Sequence, residues 1–440
     1  MIFVLILSLK ANDNLEFLKF INAVISGHQE SVLALATSKS GIDVNKGLAL
    51  KGSKEGMSAI MFAARDGHDV IVKDLIQLGA KVNQKDKLNR SALMFASMNG
   101  NDSVKILLKN GALIDDKDSH GMTPLMYASA NGHIKTVKYL ISKEADINAK
   151  NINGQSAFMI ASEQGYLNIV KLLIKKGADI NLVDNMYNTT LMLASKKGQL
   201  DIVNFLLDKK ASVNSKNLNG DDALLLSIKE KNADTVNLIL YSGADMNTKD
   251  KLGLTPLLKA VLINDSEIAQ ILIDSGVDLN AKEYTDSNTP LIIATQNSNL
   301  VIVNSLLETG LIHVNQKNKK GDNALLIAVK RGDFTITNRL LSNLYIDRDV
   351  KDSNNETPLI IAISKARDMA KLARNNPKNS SFLAKEDIYK SIAKLLIKKG
   401  SNIDVKSKNG WSAISLAQEA GYLDIAKSMY SKYDRKQRFY

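Results

Sequence analysis

Apolar positions along this chain recur in a unit of two short helical stretches and a polar turn. Residues 122–148 show it well. The run Met122-Thr-Pro-Leu-Met-Tyr-Ala-Ser-Ala130 is followed by Asn131-Gly132-His133, then by Ile134-Lys-Thr-Val-Lys-Tyr-Leu-Ile141, and finally by Ala145-Asp146-Ile147-Asn148. In the second stretch of each unit the apolar residues share one helical face, as Ile169, Val170, Leu172 and Leu173 do. Thr or Ser ahead of Pro or Ala suits the start of the first helix, because a hydroxyl caps free amides and Pro fits the first turn. The first helix is predicted to run to Gly132 and its equivalents Gly67, Gly100, Gly165, Gly198 and Gly332. The second should close at Gly79, Gly111, Gly177, Gly243, Gly276, Gly310 or Gly400, where a left-handed residue ends a helix. Turns such as Asp118-Ser-His-Gly121 and Asn217-Leu-Asn-Gly220 follow.

The unit returns along nearly the whole chain. Its small anchoring residue is Ala63, Ala96, Ala128, Ala161, Ala194, Ser227, Ala260, Ala294, Ala328 and Ala362, spaced 32 to 34 positions apart by subtraction of those numbers. A further copy lies at Ala417 after an insertion, and a degenerate one at Ala23. Thr123-Pro124-Leu125, Thr255-Pro256-Leu257, Thr289-Pro290-Leu291 and Thr357-Pro358-Leu359 open four copies; Ser58-Ala59, Ser91-Ala92, Ser156-Ala157 and Ser412-Ala413 open others. This period and these openings resemble the ankyrin repeat, over roughly residues 15–434. The resemblance implies an all-α solenoid of stacked helix-turn-helix units with short β-turn or hairpin tips. About 11 repeats and a degenerate N-terminal cap are expected. One helix pair cannot bury both apolar faces, so stacking must build the core, each shielded Leu or Ile contributing about 1.5–3 kcal/mol. A chain of 440 residues fits such an array better than a single compact core.

The sequence departs from the family pattern in three ways. The His of T-P-L-H is replaced throughout, by Met61, Met94, Met126, Met159 and Met192 and then by Leu225, Leu258, Ile292, Leu326 and Ile360. A Met stripe is compatible with soft-metal chemistry, but helical position and the change to Leu and Ile favour packing between repeats. Glu144, Lys210 and Asn343 stand where the closing Gly belongs, either as strained left-handed residues or in a different turn. The tenth repeat carries an insertion of about 22 residues, 365–386. Helix should continue to Arg374, turn at Asn375–Ser381 and resume near Asp387, giving a projecting hairpin. The domains are therefore residues 1–11, a signal peptide or apolar cap; 12–56, a degenerate capping repeat; 57–434, the array, ending in a capping repeat at 411–434; and 435–440, a basic tail.

Composition narrows the chemistry. There is no cysteine, which removes disulfides, thiolate nucleophiles and Cys-based zinc sites. His28, His68 and His133 share one repeat position and read as structural; His120 and His313 lie in or beside turns, and no pair has metal-ligand spacing. Neither a G-x-S-x-G elbow, a Walker loop nor a dinucleotide fingerprint occurs, so neither an enzyme nor a cofactor is expected. The recurring Asp146, Asp179 and Asp245 follow the repeat and read as turn formers. Net charge is +12, mostly from lysines dispersed along the chain, which read as a solvated surface. The opening Met1-Ile-Phe-Val-Leu-Ile-Leu-Ser-Leu9 is too short to span a bilayer. It resembles the hydrophobic region of a secretory signal with Ala11 at the cleavage site, although no basic residue precedes it and Leu9 suits the site poorly. Export, periplasmic or secreted, is favoured over the cytoplasm on this ground, with an apolar cap helix as the alternative.

The family resemblance implies binding through one surface, the turn tips and the exposed first-helix residues that line a groove. Mapped here, the tip positions are Lys87, Arg90, His120, Met122, Ile152, Gln155, Met186 and Tyr187. The first-helix positions are Lys196, Lys197, Lys229, Glu230, Lys330 and Arg331. Tyr187 and Met186 beside Lys196 and Lys197 are the first choice, an apolar tip near paired charge. The expected function is a monomeric, non-enzymatic scaffold for a partner protein. The rivals are a nucleic-acid or anionic-surface binder driven by the +12 charge and the basic end, and a structural spacer.

Overall fold

The computed structural model describes residues 15–38, 41–48 and 55–437. The apolar stretch 1–11 and the final residues 438–440 lie outside them. Among the described residues, short helices follow one another in pairs from Leu15–Ile25 to Leu423–Gln437. Isolated β-bridges join Lys85 to Ser91, Val183 to Thr189 and Lys406 to Ser412 at three of the tips. The chain divides into two units, Met1–Leu218 and Asn219–Tyr440. In the first unit, helix Ala59–Asp66 packs on Ala92–Asn99, and Asp69–Gln77 packs on Ser103–Lys109. In the second, Pro256–Leu262 packs on Pro290–Gln296 and Ser266–Asp274 on Leu300–Glu308. Each unit is thus a stack in which first helices lie on first helices and second on second.

The residues at each helix start explain why it begins there. The hydroxyls of Thr123, Thr255 and Thr289 accept the amides of Met126, Leu258 and Ile292 at 3.3 Å. Where Met replaces the family's His, its sulfur completes the other half of the cap. The Met61, Met94 and Met192 sulfurs accept the amides of Ser58, Ser91 and Thr189 at 3.4 Å. These methionines are also buried, as are Leu225, Leu258, Ile292, Leu326 and Ile360 at the same position. The Met stripe therefore packs between repeats, as its helical position predicts.

Successive repeats are locked by a side chain that reaches backward. His68 Nε2 lies 3.0 Å from the Ile25 carbonyl oxygen and His133 Nε2 lies 2.9 Å from that of Met98. Asn101 Nδ2 donates to Ala64 O at 2.9 Å, and Gln199 Nε2 to Glu163 O at 3.2 Å. Each of these donors stands at or just before the start of a second helix and closes over the end of the previous first helix. Gly100, at φ 71°, is needed there for space as well as conformation, since a Cβ would come within 2.5 Å of the His133 ring.

Two of the three anomalous closures are left-handed, Glu144 at φ 66° and Lys210 at φ 61°. Asn343 takes the other route. Its amide donates to Leu340 O at 3.0 Å and its side-chain oxygen accepts the Tyr345 amide at 2.9 Å, so an Asx turn replaces the glycine closure.

The insertion lengthens both helices of its repeat. Pro358–Asn375 has 18 residues and Ser381–Lys399 has 19, against 7 and 9 for Pro290–Gln296 and Leu300–Glu308. The second of them begins at Ser381 rather than near Asp387. Asn379 turns the chain by accepting the Ser381 amide at 3.1 Å, and Leu383, Ala384, Lys385 and Glu386 are good helix formers. Tyr389 OH donates to Lys330 O at 3.0 Å, Arg367 pairs with Glu419 at 2.5 Å, and Lys394 pairs with Asp424 at 2.6 Å. The last helix, Leu423–Gln437, runs past residue 434 into the start of the basic end.

Candidate functional site

Most tips are built on one acidic or amide side chain, the tip at Ser407 using its hydroxyl instead. Asp118 Oδ1 accepts the amides of His120 and Met122 at 2.8 Å, and Asp184 Oδ1 accepts those of Met186 and Asn188 at 2.8 Å. Glu283 does the same work with a longer side chain, accepting the amides of Thr285, Asp286 and Asn288. Burial pushes its carboxyl up, but those three amides outweigh it and hold the group below the usual range.

The tips are then tied to one another. In the first unit the amides of Ser119, Ile152, Asn185 and Leu218 donate to the carbonyls of Leu88, His120, Asn153 and Met186 at 2.9 to 3.0 Å. In the second, Lys251 donates to Asn219 O and Tyr284 to Leu252 O, both at 3.1 Å. A row of tips made this way presents its side chains on a fixed backbone.

Several residues expected on the binding surface are occupied inside the fold. The Arg90 guanidinium lies 2.7 Å from Asp86 and 4.7 Å from the Phe95 ring centre, so it braces its own tip. Lys87 pairs with Glu55. Lys330 lies 2.6 Å from Asp322 and 3.1 Å from Asp352; burial lowers its basicity, but hydrogen bonds to the two carboxylates raise it overall. Met122 is half-buried, its sulfur 3.6 Å from Asn151 Nδ2, and Gln155 reaches Glu163 at 3.4 Å. Lys197 stands 3.9 Å from the other Glu163 oxygen, which links Gln155, Glu163 and Lys197 into one polar edge. Lys196 is half-buried beside it on the same helix end. His120, Ile152, Lys229, Glu230 and Arg331 are exposed, His120 Nδ1 being 3.8 Å from Asp118.

Met186 and Tyr187 stand apart from these. They are 46% and 57% exposed, and the neighbouring tip adds Leu218 at 43%. Tyr187 has φ 62°, at the tip position where Gly121 and Gly154 sit in the preceding repeats. The ring also lines an open cavity of about 360 Å³ with Ile180, Val183 and Leu191.

Residues 11–118, 60–151, 144–217, 224–317 and 310–381 match the family model described as ankyrin repeats, three copies. The chain belongs to the ankyrin-repeat family. Ankyrin repeats are in general non-enzymatic protein–protein interaction modules. Comparison with curated proteins gives no match. Among the described residues, no helix is long and apolar enough to cross a membrane and no cluster of His, Asp and Glu is placed to hold a metal ion.

One feature of the ankyrin array was not anticipated from the sequence. Lys259 is only 7% exposed, with its amine 2.5 Å from Asp221 and 3.1 Å from Asp250. The same position carries Phe62, Phe95, Ile160, Leu193, Leu226 and Ile293 in other repeats. The available signal was that single charge at a position otherwise apolar or aromatic. With Lys229, Leu252, Leu254 and Leu262 the cluster lines a cavity of about 470 Å³ between tip and first helix in the second unit. Leu252 and Tyr284, each 60% exposed, are adjacent apolar tips within the second unit.

Proposed function

We propose that this ankyrin array binds a partner protein through its tips and first helices, anchored in the first unit on Met186, Tyr187 and Leu218. The observation that carries the reading is the backbone of Tyr187. A left-handed conformation costs an L-residue about 1–2 kcal/mol, and a bulky aromatic is a worse occupant than Gly or Asn. The ring recovers little of this by burial, being 57% exposed. Strain retained at an exposed site points to a use for the side chain there. Tyrosine offers a large, stiff, amphipathic contact, and such residues dominate interface energies. The Gln155–Glu163–Lys197 edge and Lys196 would form the polar rim around it. The second unit has candidate positions of its own in Lys229, Glu230, Lys330 and Arg331.

Tyr187→Gly separates the two demands on this residue, because it removes the ring and relieves the backbone at once. The full chain, nuclease-treated and at two salt concentrations, is used as bait beside this variant. A discrete protein retained at high salt by the wild type should be held at least tenfold more weakly by the variant, whose thermal midpoint should not fall. Equal retention by both baits would sink the assignment to this tip. Recovery of nucleic acid alone would transfer the function to the electrostatic rival.

A further inference from the structure

The lysines that look dispersed in sequence are aligned in the first unit. Lys73, Lys105, Lys138 and Lys171 each follow a buried valine, Val72, Val104, Val137 and Val170, at one position of four consecutive second helices. All four are exposed. Packed helices lie about 8–10 Å apart, so this file extends for about 30 Å. A second file, Lys143, Lys176 and Lys209, occupies the closing position of three of the same series of helices. Lysine there complements a helix C-terminus, which explains the type of residue but not its repetition. The two files converge at Phe205, over whose ring Lys171 and Lys209 stand at 5.7 and 5.8 Å.

The second unit provides the internal comparison. In four of its repeats the first position holds Asn237, Gln270, Asn304 and Asn338 and the second Ser242, Ser275, Thr309 and Ser342, while lysine returns toward the end as Lys394 and Lys427 at the first position and Lys399 at the second. The fold thus accepts neutral side chains at both places. Only Lys105 of the first file has a close acid, Asp102 at 2.7 Å. Like charges aligned along one face repel one another, and a counter-charged surface relieves that repulsion.

We infer that the second-helix face of the first unit docks on an anionic lipid bilayer, on a different side of each repeat from the tips. Two files that meet at Phe205 make a two-dimensional array, which suits a plane of headgroups better than a single strand. All seven cations are lysines, point charges suited to diffuse attraction rather than to the bidentate grip that arginine gives nucleic-acid phosphates. Between helices Ser103–Lys109 and Ile134–Ser142 lies an open cavity of about 430 Å³ lined by Lys105, Lys135, Lys138 and Tyr139 and also by Asp102, so three lysines outnumber one carboxylate where a headgroup would enter. Val70, three residues before Lys73 on the same helix face, is 51% exposed and can enter the interfacial layer.

The test is flotation of the full chain with phosphatidylcholine vesicles that contain or lack phosphatidylserine. The test variant carries Lys73→Gln, Lys105→Gln, Lys138→Gln and Lys171→Gln, side chains of the kind the second unit already has. The control carries the same number of changes, Lys251→Gln, Lys320→Gln, Lys351→Gln and Lys398→Gln, all at exposed positions of the second unit. Wild type should float with the anionic vesicles only, and less as salt rises. The file variant should bind on the order of a hundredfold more weakly, and the control within a few-fold of wild type. A variant with the same four positions changed to Arg should still bind, which guards against a loss caused by misfolding. No binding to the anionic vesicles, equal weakening of file variant and control, or capture by duplex DNA or an acidic polypeptide in place of vesicles would each overturn the inference.

Discussion

Single side chains in this molecule carry obligations that the repeat pattern does not reveal. Glu283 holds three backbone amides of its tip with one carboxylate. Because those bonds depress its folded pKa, their stabilisation is present above the ordinary value of 4.5 and is lost as pH falls below it. In Glu283→Gln the acid-dependent part of the stability should shrink, which denaturant melts at pH 7 and pH 4 would measure; an unchanged difference would rule out this role. Lys259 has the opposite weakness. Replacing it with Met leaves Asp221 and Asp250 buried without their cation, so a loss of about 3–5 kcal/mol is expected in denaturant unfolding. A loss under about 1 kcal/mol would mean that the two carboxylates find solvent or protons easily. Neither cost is legible in sequence. Glu for Asp at a tip and Lys within a helix are both unremarkable locally, and only the packing of the neighbouring repeat makes them special.

At the scale of elements, helix starts were the most legible feature, because Thr-Pro and Ser-Ala act through contacts three residues away. Ends were less so. Asn343 could close its helix either by a left-handed backbone or by its own side chain, and composition does not choose between them. The long hairpin was visible as an interruption of the period, yet the start of its second helix at Ser381 was not, since Asn379 and Ser380 read equally well as loop. Its outer part packs chiefly on itself, with Ala373 its one buried apolar residue between 369 and 384. Excising 369–384 and closing the ends with a short Gly-containing turn should shift the thermal midpoint by only a few degrees, because Ala366, Arg367, Glu386 and Tyr389 remain. A collapse of the fold would show that the extension is part of the stack. The candidate surface was half legible: Tyr187 stood out as an aromatic tip near paired charge, whereas the internal pairing of Arg90 and Lys330 depends on carboxylates that only the fold brings near.

For the whole molecule, stability should be a sum of repeat and nearest-neighbour contributions, with no single cooperative core. Leu173→Ala, at a fully buried position of the first unit, should lower one unfolding transition by about 2–5 kcal/mol and leave transitions reported from the second unit in place. Probes that all shift together would show a single cooperative molecule. The whole-chain electrostatics escaped the sequence because four lysines spaced 32 or 33 positions apart look scattered until the repeats are superimposed. The backward-reaching side chains have a consequence of another kind. His133 serves Met98 and Gln199 serves Glu163, so half of each such junction is encoded one repeat downstream of the other half. A chimera that inserts one foreign repeat must therefore match two seams, whereas tandem copying of a repeat reproduces a working donor and acceptor together. Such a chain lengthens most readily by copying what it already has, and shuffled repeat order is what it should tolerate least.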